Sequence, residues 1–527
     1  MRSIIHNLRN LSRLAGIALT LARFDALFPL DRLGFAGPVT SAMRLIARLP
    51  GLKFDTGSLR PGERLALALT KIGPSYVKFG QSLATRADLI GEEIAADLSR
   101  LQDRLDPFPT NQARAIIAAE LDRTVDDIFE SLENEPVAAA SIAQVHLAVT
   151  TEGEPVAVKI LRPGIEAAFD RDLDLLSWLA GQLERNRPDL RRLKPQEVVS
   201  TFAQVVAVEM DLRLEAAAAS ELGENFNDDP SFNVPAVDWQ RTARRVLTLD
   251  RVDGIPIDER NKLVAAGIEP NAVLKAASRA LFLQVFRDGF FHADLHPGNL
   301  FVGTDGTLWV VDFGIMGRID ITSRRYLGEI LLGFLEGDYG RVADAHFRAG
   351  YVPGDQSRDM FMQACRSIGE PILGLSMNEI SIARLLSQLF AITETFQMEA
   401  QPQLLLLQKT MMVAEGVGRQ LNPDVNIWDL SQPLIEDWMH DNLGPEARIR
   451  DAAREVREGA ERLPGFVTNI ERLAAIVAEK GHRLHPDTLA RLIDGGSDRA
   501  ATGGSAAIWL IAALLAAILA TLIFKPL

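Results

Sequence analysis

The order of apolar and polar positions divides the chain into a strand-bearing stretch and a longer helical one. Residues 137–149 predict a strand, a loop and a second strand, and residues 154–161 and 246–254 predict further strands, because apolar and β-branched residues cluster there between turn residues. Residues 254–495 carry apolar positions mainly at helical spacing. The pattern predicts an α+β fold, with a small lobe at 136–253 followed by a large, mainly helical lobe.

Helical patterns also precede the small lobe and occur within it. Residues 57–135 predict a helical extension, in which Pro74 suits the first turn of a helix. The small lobe contains one long helical pattern, Glu197–Phe226, and a further helix is predicted to start near Thr322.

The C-terminal end has a different pattern, an uncharged run of nineteen residues at 506–524. A linker is predicted at 496–505, and it ends in Gly503, Gly504 and Ser505. About twenty consecutive apolar residues are enough to cross a bilayer. The run therefore predicts a single C-terminal transmembrane helix.

Residues 1–56 predict a basic amphipathic segment. Apolar residues recur there at helical spacing, and up to residue 53 eight arginines and lysines outnumber two aspartates. Such a segment suits an anionic membrane surface. A transit peptide and a helix that packs into a core have a similar composition, so both remain alternatives.

Composition narrows the class of protein. A chain of 527 residues with 47% hydrophobic content can bury one large two-lobed domain plus extensions. The net charge of −14 argues against general nucleic-acid binding. Cys365 is the lone cysteine, so no disulfide can form within the chain, and a reducing compartment is expected.

Three polar residues within 289–314 have the spacing of a kinase active site. Asp294 is placed to act as the catalytic base and Asn299 to bind a metal ion. Asp312 begins an Asp-Phe-Gly sequence after a short predicted strand at 308–311, from which it would reach the same Mg²⁺.

A metallohydrolase site is one alternative for this segment. His292, Asp294 and His296 alternate along an extended chain, as metal ligands can. The Pro-Gly pair that follows breaks the strand, however, and Asn299 would have no role. A polar turn between two core strands is the plainer alternative.

The predicted strand at 154–161 carries one lysine, Lys159, which lies 135 residues before Asp294. A buried lysine needs a partner. In a kinase this lysine holds the α- and β-phosphates and pairs with a glutamate on a following helix.

The loop before this strand takes the place of a kinase's glycine-rich phosphate cover. It has alanines where glycine is usual, and alanine restricts both positive φ and close backbone approach to a phosphate. The candidate nucleotide-binding residues of the loop are Ala138, Ala139, Ala140 and Ser141. By order along the chain, the backbone from Asp250 to Val252 is the candidate adenine-binding hinge.

Two further motifs are Lys78-Phe-Gly-Gln81 and Glu209-Met-Asp211. They match the Lys-x-Gly-Gln and Glu-x-Asp signatures of the UbiB family, which comprises atypical protein-kinase-like proteins required for ubiquinone biosynthesis. With the alanine-rich loop and the kinase-like residues, the resemblance spans residues 70–320. Leu295 stands where the family pattern has proline, a change that moves no functional group.

The resemblance implies a two-lobed protein-kinase-like fold that binds ATP or ADP with Mg²⁺. It also implies that the segment bearing Lys78 and Gln81 folds over the pocket where a peptide substrate would lie, which gives Lys78, Gln81, Glu209 and Asp211 a regulatory role. After Asp-Phe-Gly the chain has no Ala-Pro-Glu sequence and little room for an activation loop. ATP hydrolysis, or action on a small lipid-like molecule, is therefore expected ahead of protein phosphorylation.

The charges of the two signature motifs need partners. On one continuous helix, Asp211 and Glu215 would be like-charged i,i+4 neighbours, which is unfavourable without nearby cations. Glu215 is the expected partner of Lys159, whereas Glu209 and Asp211 are expected to face Lys78. Arg213, four residues after Glu209, is the alternative partner for Glu209.

The motifs and the resemblance together predict a membrane-anchored, Mg-dependent ATPase of ubiquinone or related prenylquinone synthesis. Its expected partners are membrane lipids, prenylated quinone precursors and other ubiquinone-synthesis enzymes. The protein would make the precursors accessible to those enzymes. The expected site is the cytoplasmic (inner) membrane, with the catalytic domain facing the cytoplasm. A true small-molecule or protein kinase and a non-catalytic lipid-binding scaffold are the alternatives. A hydroxylase is not supported, because the sequence has no flavin fingerprint and no iron-ligand set.

Overall fold

The computed structural model describes residues 2–28, 59–84, 90–98, 106–186, 194–371, 392–398 without 394, and 402–422, together with the isolated positions 45, 54, 57, 101, 433, 434, 437–440 and 442. All of these residues lie in one compact unit, Met1–Leu443.

The helices of these ranges are α1 Arg2–Arg23, α2 Pro61–Ile72, α3 Pro74–Ala84, α4 Glu92–Leu98, α5 Thr110–Leu121, α6 Val125–Ile128, α7 Ile165–Asn186, α8 Pro195–Glu209, α9 Leu212–Asn225, α10 Arg260–Ala265, α11 Pro270–Phe282, α12 Ile321–Glu336, α13 Tyr339–Arg348, α14 Arg358–Gly369 and α15 Pro402–Leu421. Short 3-10 turns lie at Trp239–Arg241 and Pro297–Asn299, and one π-helical turn lies at Leu283–Asp288.

The strands are β1 Phe129–Leu132, β2 Ala138–Ala139, β3 Ala143–Thr150, β4 Pro155–Leu161, β5 Phe232–Asn233, β6 Val246–Asp250, β7 Ile255–Pro256, β8 Phe290–His292, β9 Leu300–Val302, β10 Leu308–Val310 and β11 Met316–Arg318.

A five-stranded antiparallel sheet forms the small lobe, with strand order β1-β3-β4-β6 and β2 paired to β3. Along β4, Val156, Val158 and Ile160 are buried in a cluster that includes Ile117 of α5. Because side chains alternate between the faces of a strand, Lys159 points to the opposite face. The strand thus holds its lysine away from the hydrophobic core of this lobe.

The sheet begins before the predicted boundary at 136. Phe129 on β1 is 1% exposed and completes the same cluster with Ile117, and β1 pairs with β3. Residues of the predicted helical extension are therefore part of the small-lobe sheet.

The strands of the large lobe align the two loops that carry its polar motifs. Strand β8 pairs with β11, and β9 pairs with β10. Backbone hydrogen bonds from Ala293 N to Ile315 O and from Val311 N to Asn299 O, each 3.0 Å, join the two loops. The loop after β8 and the residues after β10 therefore lie side by side.

Helix α1 packs into the helical extension. Ala18, Leu21 and Ala22 are buried in a cluster formed with α2, α3 and α4. The basic residues Arg9 and Arg13 form ion pairs with Asp174 and Asp172 of α7. For its second half, α1 is the core-packing helix that the sequence left as an alternative.

The long helix predicted over 197–226 was wrong in one respect, because the structure has two helices there. Asp211 caps the start of α9 by accepting a hydrogen bond from the backbone N of Arg213, and Leu212 N donates to Arg244 O at 2.9 Å. A helix-capping aspartate and a long-range partner for the backbone end one helix and start the next.

The predicted transmembrane run at 506–524 and its linker lie outside the described residues. Among the residues that are described, no helix combines the length and the apolar character that a membrane crossing needs.

Candidate functional site

Lys159 lies at the centre of a charge cluster whose third member, Asp312, is half exposed. Its Nζ donates to both carboxylate oxygens of Glu215 on α9, at 2.7 and 2.9 Å, and to Asp312 Oδ1 at 2.7 Å. The side chains of Lys159 and Glu215 are 16% and 7% exposed. The predicted pair of Lys159 with Glu215 is therefore present, and it extends to the aspartate of the Asp-Phe-Gly sequence.

The three charges shift each other's pKa values. Burial alone would lower the pKa of Lys159, but the charges of Asp312 and Glu215 outweigh it and raise that pKa. Burial would raise the pKa of Asp312, and the charge of Lys159 reverses this and lowers it, with a further contribution from Lys78. Asp312 therefore stays ionised, which is the state in which a carboxylate can bind a metal ion.

Glu215 responds in the opposite direction to Asp312. Burial raises the pKa of Glu215 to about 7, and the charge of Lys159 offsets this only in part because Asp312 adds a like charge. The two carboxyls that Lys159 contacts therefore have opposite pKa shifts, raised for Glu215 and lowered for Asp312.

Asp312 has a backbone conformation that is uncommon for residues other than glycine. Its φ is 66°, in the left-handed region. Non-glycine residues in this region cost free energy and are held there by their surroundings, often at functional sites. The conformation places the carboxylate against Lys159.

The catalytic loop holds Asp294 through its backbone. Asp294 N donates to Nδ1 of His292 at 3.2 Å, and Asn299 Nδ2 donates to Asp294 O at 3.1 Å. His292 is 0% exposed, and its own N donates to Oε1 of the buried Gln284 at 2.9 Å. The loop conformation is therefore fixed by side chains within and beneath it.

The metallohydrolase alternative does not fit this geometry. His292 uses Nδ1 for Asp294 N, and its Nε2 lies 3.3 Å from Val311 O. Burial lowers the pKa of His292. Within the described part of the chain, no group of three or more His, Cys, Asp or Glu side chains is arranged to hold a metal ion.

The residues fit magnesium by their chemistry. Asp312 offers a carboxylate and Asn299 an amide oxygen, while the amide nitrogen of Asn299 is used in the loop. Magnesium binds such oxygen ligands, usually through one or two carboxylates together with water and substrate phosphates. An aspartate and an asparagine are the pair that kinases use.

The alanine-rich loop forms β2 and a tight connection to β3. Ala138 and Ala139 pair with Val145 and Gln144, and Ala140 N donates to Ala143 O at 2.8 Å. Ser141 follows at 0% exposure. The predicted strand, loop and strand are confirmed, and the loop is closed by its own backbone.

The candidate hinge follows β6. Asp250 is the last residue of that strand, and its backbone N donates to Ala236 O at 2.9 Å. Burial raises the pKa of Asp250. Val252 lies between this strand and β7. Adenine binding by Asp250 and Val252 remains a prediction.

Of the two contacts predicted for Lys78, with Glu209 and with Asp211, the structure contains the one with Glu209. Lys78 on α3 forms an ion pair with Glu209 at 3.1 Å, and the two side chains are 13% and 7% exposed. Gln81 Nε2 donates to Leu101 O at 3.3 Å. Gln81 therefore holds the helical extension together.

The expectation that Asp211 also faces Lys78 was wrong. Asp211 pairs instead with Arg213, whose Nε donates to Oδ1 at 2.9 Å, because Asp211 lies at the helix start rather than within a helix. The alternative pair of Glu209 with Arg213 is likewise not formed.

One contact of the catalytic loop had no signal in the sequence. Lys409 on α15 places its Nζ 2.8 Å from Asp294 Oδ1, across 115 residues of chain. The sequence predicted this stretch only as part of the large, mainly helical lobe at 254–495, and a lone lysine there has no spacing motif that points to the loop.

Comparisons with known proteins cover most of the chain. The ABC1 atypical kinase-like domain matches residues 100–346, and the UbiB helical domain matches residues 365–426. A protein from Marinobacter nauticus described as a probable protein kinase UbiB is 40% identical over 460 residues, which is 86% of this chain and 83% of that protein.

A solved structure gives an independent comparison of the fold. The complex of Rv3197 with erythromycin from Mycobacterium tuberculosis is similar with a TM-score of 0.51 and 26% identity, over 68% of this chain and 90% of that one. Lys159, Glu215 and Asp312 lie in the first matched domain, whereas Lys409 lies in the second.

Proposed function

Because the chain belongs to the UbiB family of atypical kinase-like proteins, we propose that it is a magnesium-dependent ATPase that supports ubiquinone or related prenylquinone biosynthesis. The observation that carries the proposal is the contact of Lys159 with both Glu215 and Asp312. Kinases need this lysine–glutamate pair and the Asp-Phe-Gly aspartate in place at the same time.

Each residue of the site has a separate task in this proposal. Lys159 binds the α- and β-phosphates, and Glu215 orients it. Asp312 and Asn299 would hold Mg²⁺, which supplies charge neutralisation on the phosphates.

Asp294 acts on the attacking water. The water oxygen bonds to the γ-phosphorus while the bond to the bridging oxygen breaks and its electron pair leaves with ADP. Asp294 accepts the proton that the water loses.

Hydrolysis is favoured over protein phosphorylation by what surrounds the site. Helix α3 brings Lys78 to the Glu209 end of α8, close enough for its charge to lower the pKa of Asp312. Helix α12 begins at Ile321, so only eight residues separate Asp312 from the next helix. A peptide-docking activation loop has little space there.

We further propose that residues 506–524 anchor the enzyme in the cytoplasmic membrane. Its partners there would be prenylated quinone precursors. ATP turnover would make these precursors accessible to other enzymes of the same synthesis.

The test is phosphate release by the purified protein with Mg-ATP, in the presence and absence of membranes and a quinone-precursor mimic. We expect Mg-dependent release that the mimic and membranes increase, and loss of release in Asp312→Asn. A protein that binds lipid but neither binds nor hydrolyses ATP would contradict the proposal in favour of a scaffold.

A kinase activity is the second candidate, because the relative from Marinobacter nauticus is described as a probable protein kinase. The same reactions with γ-labelled ATP separate the two. Label in free phosphate supports the ATPase, whereas label in protein or in the lipid fraction supports a kinase.

A further inference from the structure

The side chain of Asp294 is held from outside the kinase-like domain. Its Oδ1 accepts a hydrogen bond from Lys409 Nζ at 2.8 Å. The side chains of Asp294 and Lys409 are 27% and 41% exposed, so the pair lies at the mouth of the site.

The loop itself fixes only the backbone of Asp294. His292 accepts from Asp294 N, and Asn299 donates to Asp294 O. The second carboxylate oxygen, Oδ2, lies 4.0 Å from His296 Nε2, which is too far for a hydrogen bond. Within the described residues, the carboxylate is therefore held by Lys409 through Oδ1.

Helix α15 is fixed well enough to position a side chain. Leu407, Val417 and Leu421 are buried in the same cluster as Leu295 of the catalytic loop. At the end of the helix, Arg260 Nε donates to Leu421 O at 2.9 Å. Lys409 lies between these anchored turns and close to Leu407.

We propose that Lys409, on the helical domain, is a positioning residue for Asp294, so that the helical domain completes the active site of the kinase-like domain. This proposal rests on the ATPase activity proposed above. With Oδ1 held by Lys409, Oδ2 is the oxygen that takes the proton of the attacking water. The helical domain thereby affects the rate of the chemical step through Asp294.

A stabilising surface ion pair is the competing explanation. Exposed pairs contribute little to stability, and their loss leaves turnover unchanged. A positioning role predicts a different result, because a misplaced catalytic group lowers kcat while nucleotide binding is retained.

The experiment compares steady-state Mg-ATP hydrolysis by the full-length wild type, Lys409→Met, Lys409→Arg and Lys262→Met. Methionine keeps the apolar stem of lysine and removes the charge, whereas arginine keeps the charge. Lys262 on α10 pairs with Glu259, the residue before that helix, and is 69% exposed, so it is the matched control.

We expect Lys409→Met to lower kcat by about tenfold to a hundredfold with little change in KM for ATP, as misplacement of a reacting group by about 1 Å does. Lys409→Arg should recover most of the loss, and Lys262→Met should match the wild type. Mg-ADP affinity and the thermal midpoint should be unchanged in all variants.

Two results would overturn the role of Lys409 alone. One is wild-type kcat in Lys409→Met, and the other is an equal loss in the methionine and arginine variants with a lowered thermal midpoint, which would indicate a structural role. Absence of turnover in the wild type itself would overturn the ATPase proposal and this one together.

Discussion

At the scale of single residues, the two carboxyls that contact Lys159 have opposite pKa shifts. Its ammonium lies 2.7 Å from an oxygen of Glu215 and 2.7 Å from an oxygen of Asp312. Asp312 is held ionised, whereas burial raises the pKa of Glu215 to about 7. As pH falls, Glu215 therefore takes up a proton before Asp312 does, and Asp312 stays charged.

This arrangement predicts how stability depends on pH in the metal-free protein. A carboxyl whose pKa rises from 4.5 to about 7 on folding takes up a proton in the native state, so its contribution to the free energy of unfolding is lost as pH rises through that window. In EDTA, the stability of wild type relative to Glu215→Gln should fall by up to about 3 kcal/mol from pH 4.5 to 7, at 1.36 kcal/mol per pKa unit. Urea unfolding at several pH values measures the difference. Parallel curves for the two proteins would contradict the assignment.

At the scale of secondary-structure elements, the break between α8 and α9 separates two ion pairs. Glu209 ends α8 and faces Lys78, while Glu215 on α9 faces Lys159. On one continuous helix these two glutamates would point about 120° apart, since each residue turns the helix by 100°. The capped break at Asp211 frees each helix to direct its glutamate to its own lysine.

The pair of Lys78 and Glu209 should contribute to stability because both side chains are largely buried. Lys78→Met leaves a buried carboxylate without its cation, which typically costs about 3–5 kcal/mol. We expect Glu209→Gln to cost a similar amount and the double variant to cost less than the sum. Denaturant unfolding of the four proteins measures the coupling, with the exposed Lys71→Met as control. Additive losses would mean that the two residues act independently.

The alanine loop gives a second prediction at this scale. Ala139 is paired with Gln144 in a strand, and replacing it with glycine removes the restriction on φ. Ala139→Gly should let the backbone approach the phosphates and change the ratio of ATP to ADP affinity or allow autophosphorylation. Nucleotide titration measures the two affinities, and labelled ATP detects autophosphorylation. Wild-type behaviour in both assays would mean that the loop only connects two strands.

The sequence predicted some contacts between elements and not others. Contacts between residues of recognisable motifs were predicted, such as the pair of Lys159 with Glu215. The order of the motifs and the alternation of side chains along a strand restrict where each side chain points. The break at Asp211 was missed because an alanine-rich helical pattern continues on its far side, and the partner of Leu212 N is Arg244 on another segment. Lys409 was missed for the same reason, since only tertiary packing brings it to Asp294.

At the scale of the whole molecule, four separate segments contribute to one site. The helical extension supplies Lys78, the small lobe Lys159 and Glu215, the large lobe Asp294 and Asp312, and the helical domain Lys409. Peptide phosphorylation needs an open approach to the base. Contacts from the extension and the helical domain at this site support the proposed hydrolysis over peptide phosphorylation.

The proposed membrane anchor predicts a change in partitioning of the whole protein. Deleting residues 505–527 should release it from carbonate-washed membranes, because an inserted helix resists alkali and a surface contact does not. Little salt-sensitive binding should remain, since Arg9 and Arg13 of α1 already pair with Asp174 and Asp172. Fractionation and immunoblotting measure this. Retention of the truncated protein after carbonate would assign the anchor to another segment.

The most direct test of the kinase-like site is calorimetric titration of Mg-ATP into wild type and Asp312→Asn, repeated in EDTA. We expect Mg-dependent binding in wild type and a loss of at least about tenfold in the variant, since residues that merely support metal ligands already contribute tenfold to a hundredfold. The exposed Asp359→Asn is the matched control and should bind as wild type does. The account would be contradicted if a folded Asp312→Asn protein bound Mg-ATP as tightly as wild type does. It would also be contradicted if EDTA left the ATP affinity of wild type unchanged.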